Sequence, residues 1–270
     1  MSAKDEIRAM TGAEEIQIFA EELMRVGKIA RERRLEIEMP AVILVTEEGL
    51  GNTTALRKLA TLLKEEKLLR FSGEEDLFEW RMLRGDEEGV TRLLSRMEQA
   101  AGFYPYFSGV VGLDLSDFSR LEMLDDALLE LIRERRKTTL FCLMITPKQA
   151  AVELDSLRER LMNYSRVRVL RLNPDREALN RFVKEELQRQ GFTLDETGEQ
   201  MLNQLTGDRH AGGYRGLRLA VNEIIWSRLM ENGEPVVRAR DIQRYMEMRQ
   251  SKKETGGSRR RVIGFGAQDK

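Results

Sequence analysis

Short apolar runs alternate with longer helix-forming stretches over residues 41–172, and this alternation constrains the fold more than any other feature of the sequence. The runs are expected strands at 41–45, 68–71, 106–113, 139–145 and 167–172. The helices between them are expected at 53–66, 89–101, 121–135 and 154–161. Continuous apolar runs are typical of strands buried on both faces, and strands joined through helices pair in parallel. The sequence therefore predicts an α/β fold with a parallel sheet sandwiched by helices.

The pattern changes near Pro174, after which only helical periodicity remains. Helices are expected at 175–190, 195–205, 216–231 and 239–248. Before the first strand, the stripe of apolar residues between 12 and 38 predicts an amphipathic helix or a bent pair. We therefore predict an N-terminal helical segment (1–39), an α/β domain (40–172), a small C-terminal helical lid domain (173–250) and a flexible basic tail (251–270).

Composition bears on the class of partner. The chain has 270 residues with 45 Lys and Arg against 46 Asp and Glu, so its formal net charge of -1 gives no global attraction to nucleic acid or to an anionic membrane. The only cysteine, Cys142, lies in an apolar run, where we expect a buried thiol. No apolar run approaches the ~20 residues of a membrane helix, and no signal peptide is recognised, so we expect a cytoplasmic location.

The loop at 46–54, between the first predicted strand and the helix after it, has the pattern of a phosphate-binding loop. Such a loop holds phosphates with backbone N–H groups and a helix N-terminus, while a lysine neutralises the terminal phosphates and a hydroxyl binds Mg²⁺. Here Asn52 occupies the lysine position, so the loop can donate a hydrogen bond but brings no charge. The candidate nucleotide-binding residues in it are Gly49, Gly51, Asn52, Thr53 and Thr54.

Two carboxylates in the same loop oppose phosphate binding. Glu47 and Glu48 lie where the loop would surround a polyanion, and like charges at close range can cost several kcal/mol. A loop with two glycines after a strand is also common, so the loop alone is a weak indication of function.

Aspartates at the end of a predicted strand supply the second part of a possible site. Asp114 follows the run at 106–113, so its carboxylate is expected at the carboxyl edge of the sheet, where it could coordinate Mg²⁺ together with Thr53. The next residue, Leu115, cannot activate water. Asp117 is a second candidate acid, although capping of the following helix is the simpler explanation.

The order of these features resembles the AAA+ ATPases, a family of P-loop NTPases, and the resemblance covers about residues 40–250. It implies that the loop is a Walker A motif with Asn52 in place of lysine. It also implies a Walker B aspartate at Asp114, followed by Leu115 in place of the catalytic glutamate. The segment 83–90 is similar to the family's substrate-gripping pore loop and the start of the helix after it.

The resemblance extends to three polar residues further along the chain. It implies a sensor-1 role for Thr146, an arginine finger at Arg160 and a sensor-2 role for Arg215 in the stretch GGYRGLRLAVNE at 212–223. The alternative for Arg215 and its neighbour Arg218 is an ordinary surface or interdomain salt bridge. Within the family, this motif looks most like that of the CbxX/stage V sporulation protein K-like group.

The tail contains Ile263-Gly264-Phe265 after three arginines. This apolar segment resembles the loop by which Clp unfoldases dock on their peptidase, which would make it a site for a protein partner. A solvated tail without a role is the alternative, and a basic cluster that binds nucleic acid is a further one.

Together these residues favour a degenerate AAA+ module that binds ATP or ADP weakly, or not at all, and acts by assembly or regulation. We expect it to form a homo-oligomer or to join another AAA+ subunit, offering Arg160 to the neighbouring site. The alternative is an active ATP-dependent remodelling ATPase of the chaperone or unfoldase kind, in which Asp117 serves as base and Arg57 replaces the lysine. Balanced charge disfavours a nucleic-acid loader.

Overall fold

A computed structural model describes residues 2–10, 12–69, 76–82, 89–101, 107–118, 120–121, 124–207, 213–231 and 234–256. The chain divides into two compact units. The first comprises Met1–Leu179 and Gly212–Arg215, and the second comprises Asn180–Ala211 and Gly216–Lys270. The domain boundaries expected from the sequence stay a prediction.

The helices and strands of the described residues are named here in chain order. They are α1 (Ala3–Arg8), α2 (Glu14–Arg33), β1 (Ala41–Thr46), α3 (Asn52–Glu65), β2 (Leu77–Arg81), α4 (Gly89–Ala101), β3 (Gly109–Asp114), α5 (Asp126–Arg135), β4 (Thr139–Ile145), α6 (Pro147–Met162), β5 (Val167–Leu172), α7 (Arg176–Arg189), β6 (Thr193–Leu194), α8 (Glu196–Gly207), α9 (Gly213–Met230), β7 (Val236–Val237) and α10 (Ala239–Gly256). No helix in this part of the chain is long and apolar enough to cross a membrane.

The first unit is built on a sheet of five parallel strands in the order β2-β3-β4-β1-β5. Since all strands run in one direction, their carboxyl ends share one edge of the sheet. The strands end there at Thr46, Arg81, Asp114, Ile145 and Leu172. The prediction of an α/β fold with a parallel, helix-covered sheet is confirmed.

Two apolar clusters cover the two faces of this sheet. Alternate residues of a strand point to opposite faces, so the side chains of Val42 and Leu44 pack with α1, α2 and α3, while those of Ile43 and Val45 pack with α4, α5 and α6. The α3 helix lies close to the sheet at Gly112, where an added Cβ would lie 2.7 Å from Cδ1 of Leu56. Both faces are therefore buried, as a parallel sheet requires.

The strand order creates a crevice at the carboxyl edge. The chain leaves β1 towards α3 on one face of the sheet, whereas it leaves the neighbouring β4 towards α6 on the other face. Adjacent strands whose connections diverge in this way leave an open space between the two loops, and ligands of open α/β sheets bind in such a space. The residues after β1 and β4 flank this position in the strand order, and those after β3 follow the strand next to β4.

The second unit contains helices and one short strand pair. The strands β6 and β7 pair in parallel over two residues each, whereas the sequence predicted helices only. Strands of two residues are too short to show an alternating pattern, which explains the difference. A buried arginine, Arg228, lies in α9, with its side chain 4% exposed and its Nε 3.7 Å from a carboxylate oxygen of Asp241.

Several boundaries differ from those predicted. Of the strand expected at 68–71, the described residues Leu68 and Leu69 are not in a strand, and the second strand is β2 instead. Its residues alternate between apolar side chains and Glu79 or Arg81, because β2 is an edge strand whose side chains are only partly buried. The pattern of a fully buried strand could not find it.

Two helix starts also differ from the prediction, because the apolar residues begin before α5 and only after the first turns of α6. The α5 helix begins at Asp126 and not at 121, because the side chain of Asp125 accepts a hydrogen bond from the backbone N–H of Ala127 and caps it. The α6 helix begins at Pro147, seven residues before the predicted start at 154. The short α1 was not predicted.

Candidate functional site

The loop between β1 and α3 has the tight backbone that its glycines predicted. Gly49 has φ 88° and Gly51 has φ 89°, in the left-handed region that favours glycine. No side chain caps the first turn of α3, for which Gly51 is the N-cap residue. The first N–H groups of a helix in this position are available to an acceptor from outside.

Asn52 is folded back onto the beginning of its own loop. The hydroxyl of Thr46 donates to Oδ1 of Asn52 at 2.6 Å, and Nδ2 of Asn52 donates to the carbonyl oxygen of Glu47 at 3.4 Å. Thr46 is buried, with 4% of its surface exposed, so this contact satisfies a hydroxyl that water does not reach. Asn52 therefore holds the loop to the end of β1 and contributes no positive charge.

The hydroxyl groups at the start of α3 are exposed. Thr53 donates from Oγ1 to Oε1 of Glu79, on β2, at 3.0 Å. Thr54 is the next residue of the same turn. Glu47 and Glu48 are exposed beside them, so the surroundings of the loop are acidic.

An arginine that the sequence analysis did not single out lies among the acidic residues of the sheet edge. Arg81, the last residue of β2, makes two hydrogen bonds of 2.9 Å to the carboxylate of Asp117, and its Nε lies 3.9 Å from Oδ2 of Asp114. These contacts lower the pKa of Asp117, chiefly through the hydrogen bonds from Arg81, and raise the pKa of Arg81. Arg81 could have been found only from the position of β2 beside β3.

The oxygen atoms predicted to bind Mg²⁺ are engaged by the protein. Oδ1 of Asp114 accepts the backbone N–H of Ser116 at 2.9 Å, Oδ2 faces Arg81, and the hydroxyl of Thr53 donates to Glu79. In the described residues no group of three or more His, Cys, Asp or Glu side chains could hold a metal ion. Because the oxygens of Asp114 and Thr53 are already engaged by Ser116, Arg81 and Glu79, the residues present do not fit a Mg²⁺ ion, and the metal roles of Thr53 and Asp114 stay predictions.

Thr146 follows β4 directly and is the N-cap of α6. Its hydroxyl accepts the backbone N–H of Gln149 at 3.2 Å, and Oε1 of Gln149 accepts the backbone N–H of Thr146 at 2.8 Å, which completes a capping box. Nε2 of Gln149 donates to the carbonyl oxygens of Leu115 and Phe118 at 2.8 and 2.7 Å. Gln149 thus connects the end of β4 to the loop after β3.

Arg160 is held by its own unit. Its guanidinium donates to the carbonyl oxygens of Leu121 and Leu124 at 3.3 and 2.9 Å and contacts the carboxylate of Asp126 at 3.1 Å. The role of arginine finger stays a prediction, since it concerns a neighbouring subunit.

Arg215 lies next to the loop after β1. Its backbone N–H donates to the carbonyl oxygen of Gly49 at 3.2 Å, and its side chain is exposed. The approach is close because Gly213 has no side chain: a Cβ there would lie 2.8 Å from the oxygen of Gly49. Arg218 belongs to the second unit, where its Nε lies 3.6 Å from Glu186 and its guanidinium stacks on Phe182.

The described residues bring most of the predicted site together in the first unit. Asn52, Thr53, Asp114, Asp117 and Arg215 are all placed by strand ends or by the loop after β1. The predicted pore loop at 83–88, Gly212 at the start of the sensor-2 motif, and the Ile263-Gly264-Phe265 segment lie outside the described residues.

Comparison with known proteins supports the fold. No family model and no curated protein matches the chain. The solved structure of the ORC2 protein of Aeropyrum pernix, in complexes with ADPNP and ADP, is similar to this chain with a TM-score of 0.58 and 12% sequence identity. The alignment covers 86% of this chain and 68% of the ORC2 chain. A RuvB mutant of Thermotoga maritima aligns with a TM-score of 0.49 and 13% sequence identity, over 86% of this chain and 69% of the RuvB chain. At such low identity a likeness shows the fold alone, and the RuvB match, below 0.5, adds nothing to it. The chain therefore shares the fold of the ORC2 structure, an α/β fold with a five-stranded parallel sheet between helices.

Proposed function

We propose that this chain is an assembly or regulatory module that uses the AAA+ fold around a nucleotide site that does not hydrolyse ATP. The observation that carries the proposal is the position of Asn52. Where a lysine would extend towards phosphates, the Asn52 amide contacts Thr46 and Glu47 instead, so the loop contains no cation. The loop after β1 is a degenerate Walker A motif on this proposal.

Weak binding of ATP or ADP remains part of the proposal. The uncapped N-terminus of α3, the turn at Gly49 and Gly51 and the hydroxyls of Thr53 and Thr54 are the groups that would hold phosphates. The similar ORC2 structure was solved in complexes with ADPNP and ADP, which supports a nucleotide as the ligand class. Arg215 is an exposed cation whose backbone N–H donates to the carbonyl oxygen of Gly49 in the same loop, so its side chain is a candidate for contact with phosphates.

Hydrolysis is not favoured, because neither Leu115, at the position of the catalytic glutamate, nor Asp117 is suited to activate water. Leu115 is apolar and fully buried. The carboxylate of Asp117 receives both hydrogen bonds of Arg81, which stabilise its ionised form but leave it a weak base. The alternative of an active remodelling ATPase therefore has no specific observation in its favour.

For partners we propose a second copy of the chain or another AAA+ subunit. Arg160 would serve the neighbouring site only if it exchanged its contacts with Asp126 and with the carbonyls of Leu121 and Leu124 for a phosphate. The Ile263-Gly264-Phe265 segment as a docking site and a cytoplasmic location stay predictions.

ATP turnover by the purified chain tests this proposal. We expect the wild-type rate to equal that of a Thr53→Ala variant, which lacks the hydroxyl that hydrolysing P-loop proteins need. A wild-type rate well above this control, and abolished by Asp114→Ala, would contradict the proposal and establish the ATPase. Calorimetry with ATP then distinguishes a site that binds nucleotide weakly from one that does not bind it. Measurable heat of binding identifies the first, and no heat identifies a site with a structural role only.

A further inference from the structure

We propose that Arg81 takes the place of a divalent cation at the carboxyl edge of the sheet, so that this site receives phosphates without Mg²⁺. The inference concerns the same site as the proposed function, and its nucleotide part rests on that function. Its first part, the exclusion of a metal ion by Arg81, stands on the contacts of Arg81 alone. The inference starts from the observation that the oxygens of Asp114 and Thr53, which would hold a Mg²⁺ ion, are already engaged within the protein.

Arg81 is placed beside Asp114 by the sheet itself. The two residues are direct partners in the parallel register of β2 and β3, and each is the last residue of its strand. Two hydrogen bonds of 2.9 Å then fix the guanidinium against Asp117, in the two-pronged geometry that arginine forms with carboxylates. One cation therefore lies between the two aspartates that border the loop after β3.

This arrangement removes what a divalent ion needs. Mg²⁺ in nucleotide sites is held by one or two carboxylates together with phosphates. Asp117 is occupied by Arg81, and Oδ2 of Asp114 lies 3.9 Å from a positive charge that would repel an arriving metal ion. Oδ1 of Asp114 accepts the N–H of Ser116. Neither carboxylate presents an uncommitted oxygen away from Arg81.

The same arginine can replace the metal ion's contact to phosphate. A guanidinium has five N–H groups, and the contacts with Asp117 use two of them. Among the described residues no further hydrogen bond of this guanidinium is formed, so three N–H groups remain for a phosphate oxygen. Its side chain is 58% exposed and accessible to a ligand. Arg81 can thus bridge a carboxylate and a phosphate, as Mg²⁺ does in other nucleotide sites.

Binding of Mn²⁺ alone, followed by electron paramagnetic resonance, tests the exclusion without a nucleotide. Removing the positive charge in Arg81→Gln frees both aspartates, and we expect at least about tenfold tighter Mn²⁺ binding than in the wild-type chain. Arg81→Lys keeps the charge and is expected to resemble the wild type. Arg8→Gln is the matched control, because it removes the same charge from another exposed ion pair, Arg8–Glu21 at 2.8 Å, on α1 and α2.

Calorimetry with ATP in EDTA and in Mg²⁺ tests the second part. We expect the wild-type dissociation constant to be the same in both within about threefold, whereas Arg81→Gln binds in Mg²⁺ only. Wild-type Mn²⁺ binding as tight as that of Arg81→Gln overturns the exclusion, and wild-type ATP binding that requires Mg²⁺ overturns the replacement. If the wild type binds no ATP in either buffer, nucleotide binding fails as a function, while the Mn²⁺ result still decides the role of Arg81.

Discussion

Gln149 connects two loops of the candidate site, and its replacement by alanine should destabilise the first unit by more than loss of the helix cap alone. The change removes two donated bonds, to Leu115 and Phe118, and two bonds accepted from Thr146. At about 1 kcal/mol for each neutral hydrogen bond the gross loss is about 4 kcal/mol. Gln149 is half-buried, so water recovers part of it, and we expect a loss of about 2–3 kcal/mol in the free energy of unfolding.

Two further variants divide this loss into its parts. Thr146→Ala removes the cap and should cost about 1 kcal/mol. Gln149→Glu keeps the acceptor for Thr146 but removes both donors, and should cost about 2 kcal/mol because two carbonyls lose their partner. Thr146 and Gln149 share one side-chain bond, from the Thr146 hydroxyl to Oε1 of Gln149, so the double alanine variant should cost about 1 kcal/mol less than the sum of the two single variants.

Urea unfolding measured by tryptophan fluorescence is the assay. The chain has two tryptophans, and Trp226 is 66% exposed, so a Trp226→Phe background leaves Trp80 as the only reporter. Trp80 lies in β2 and stacks on Phe78 with ring centroids 6.3 Å apart, so its signal follows the first unit. If Gln149→Ala unfolds within about 0.5 kcal/mol of the parent, as an ordinary surface substitution does, the connection between the loops carries no energy and the reasoning is wrong.

Three other predictions follow from close contacts and burial. Gly112→Val should cost about 1–3 kcal/mol in urea unfolding through overcrowding of Leu56, and equal stability would show that α3 can move away. Gly213→Ala, at φ 59° and 2.8 Å from the oxygen of Gly49, should accelerate hydrogen exchange of the Arg215 amide, and unchanged exchange would contradict that contact. Burial raises the pKa of Cys142 from 9.0 to about 12, so its thiol should be unreactive in the native chain at pH 8. The folded state keeps this proton when the unfolded state loses it, so stability relative to Cys142→Ala is constant below pH 9 and falls between pH 9 and about 12.

The buried part of the sheet could be predicted from sequence because burial on both faces leaves a continuous apolar run. The strands β4 and β5 and the helix α4 have the boundaries that the pattern predicted, and β1 differs by one residue. The edge strand β2 could not be found in this way, since its outer side chains are charged. Because β2 was not predicted, Arg81 was not recognised as a site residue, since its contact with Asp114 depends on the pairing of β2 with β3.

Some polar contacts of the site could also be predicted from local sequence, whereas others could not. Asp114 was identified because it follows an apolar run, and Thr146 because its place after the next strand matches the family resemblance. The cap on α6 was also readable, since Thr146 and Gln149 have the spacing of a capping box, but the apolar stripe of that helix begins later and drew the predicted start to 154. The bonds from Gln149 to Leu115 and Phe118 depend on the order of strands in space, which local patterns do not contain.

The contacts of Asn52 bear on whether a lysine-bearing phosphate loop could be rebuilt here, by evolution or by design. A lysine at position 52 adds the charge but loses both bonds to the start of the loop, and the buried hydroxyl of Thr46 exchanges a 2.6 Å bond for its longer contact of 3.3 Å with the carbonyl oxygen of Glu47. The substitution therefore weakens the attachment of the loop to β1 at the same time as it adds the charge. Because the loss of stability comes with the first substitution, whether or not phosphate binding improves, the present residue is easier to retain than to replace.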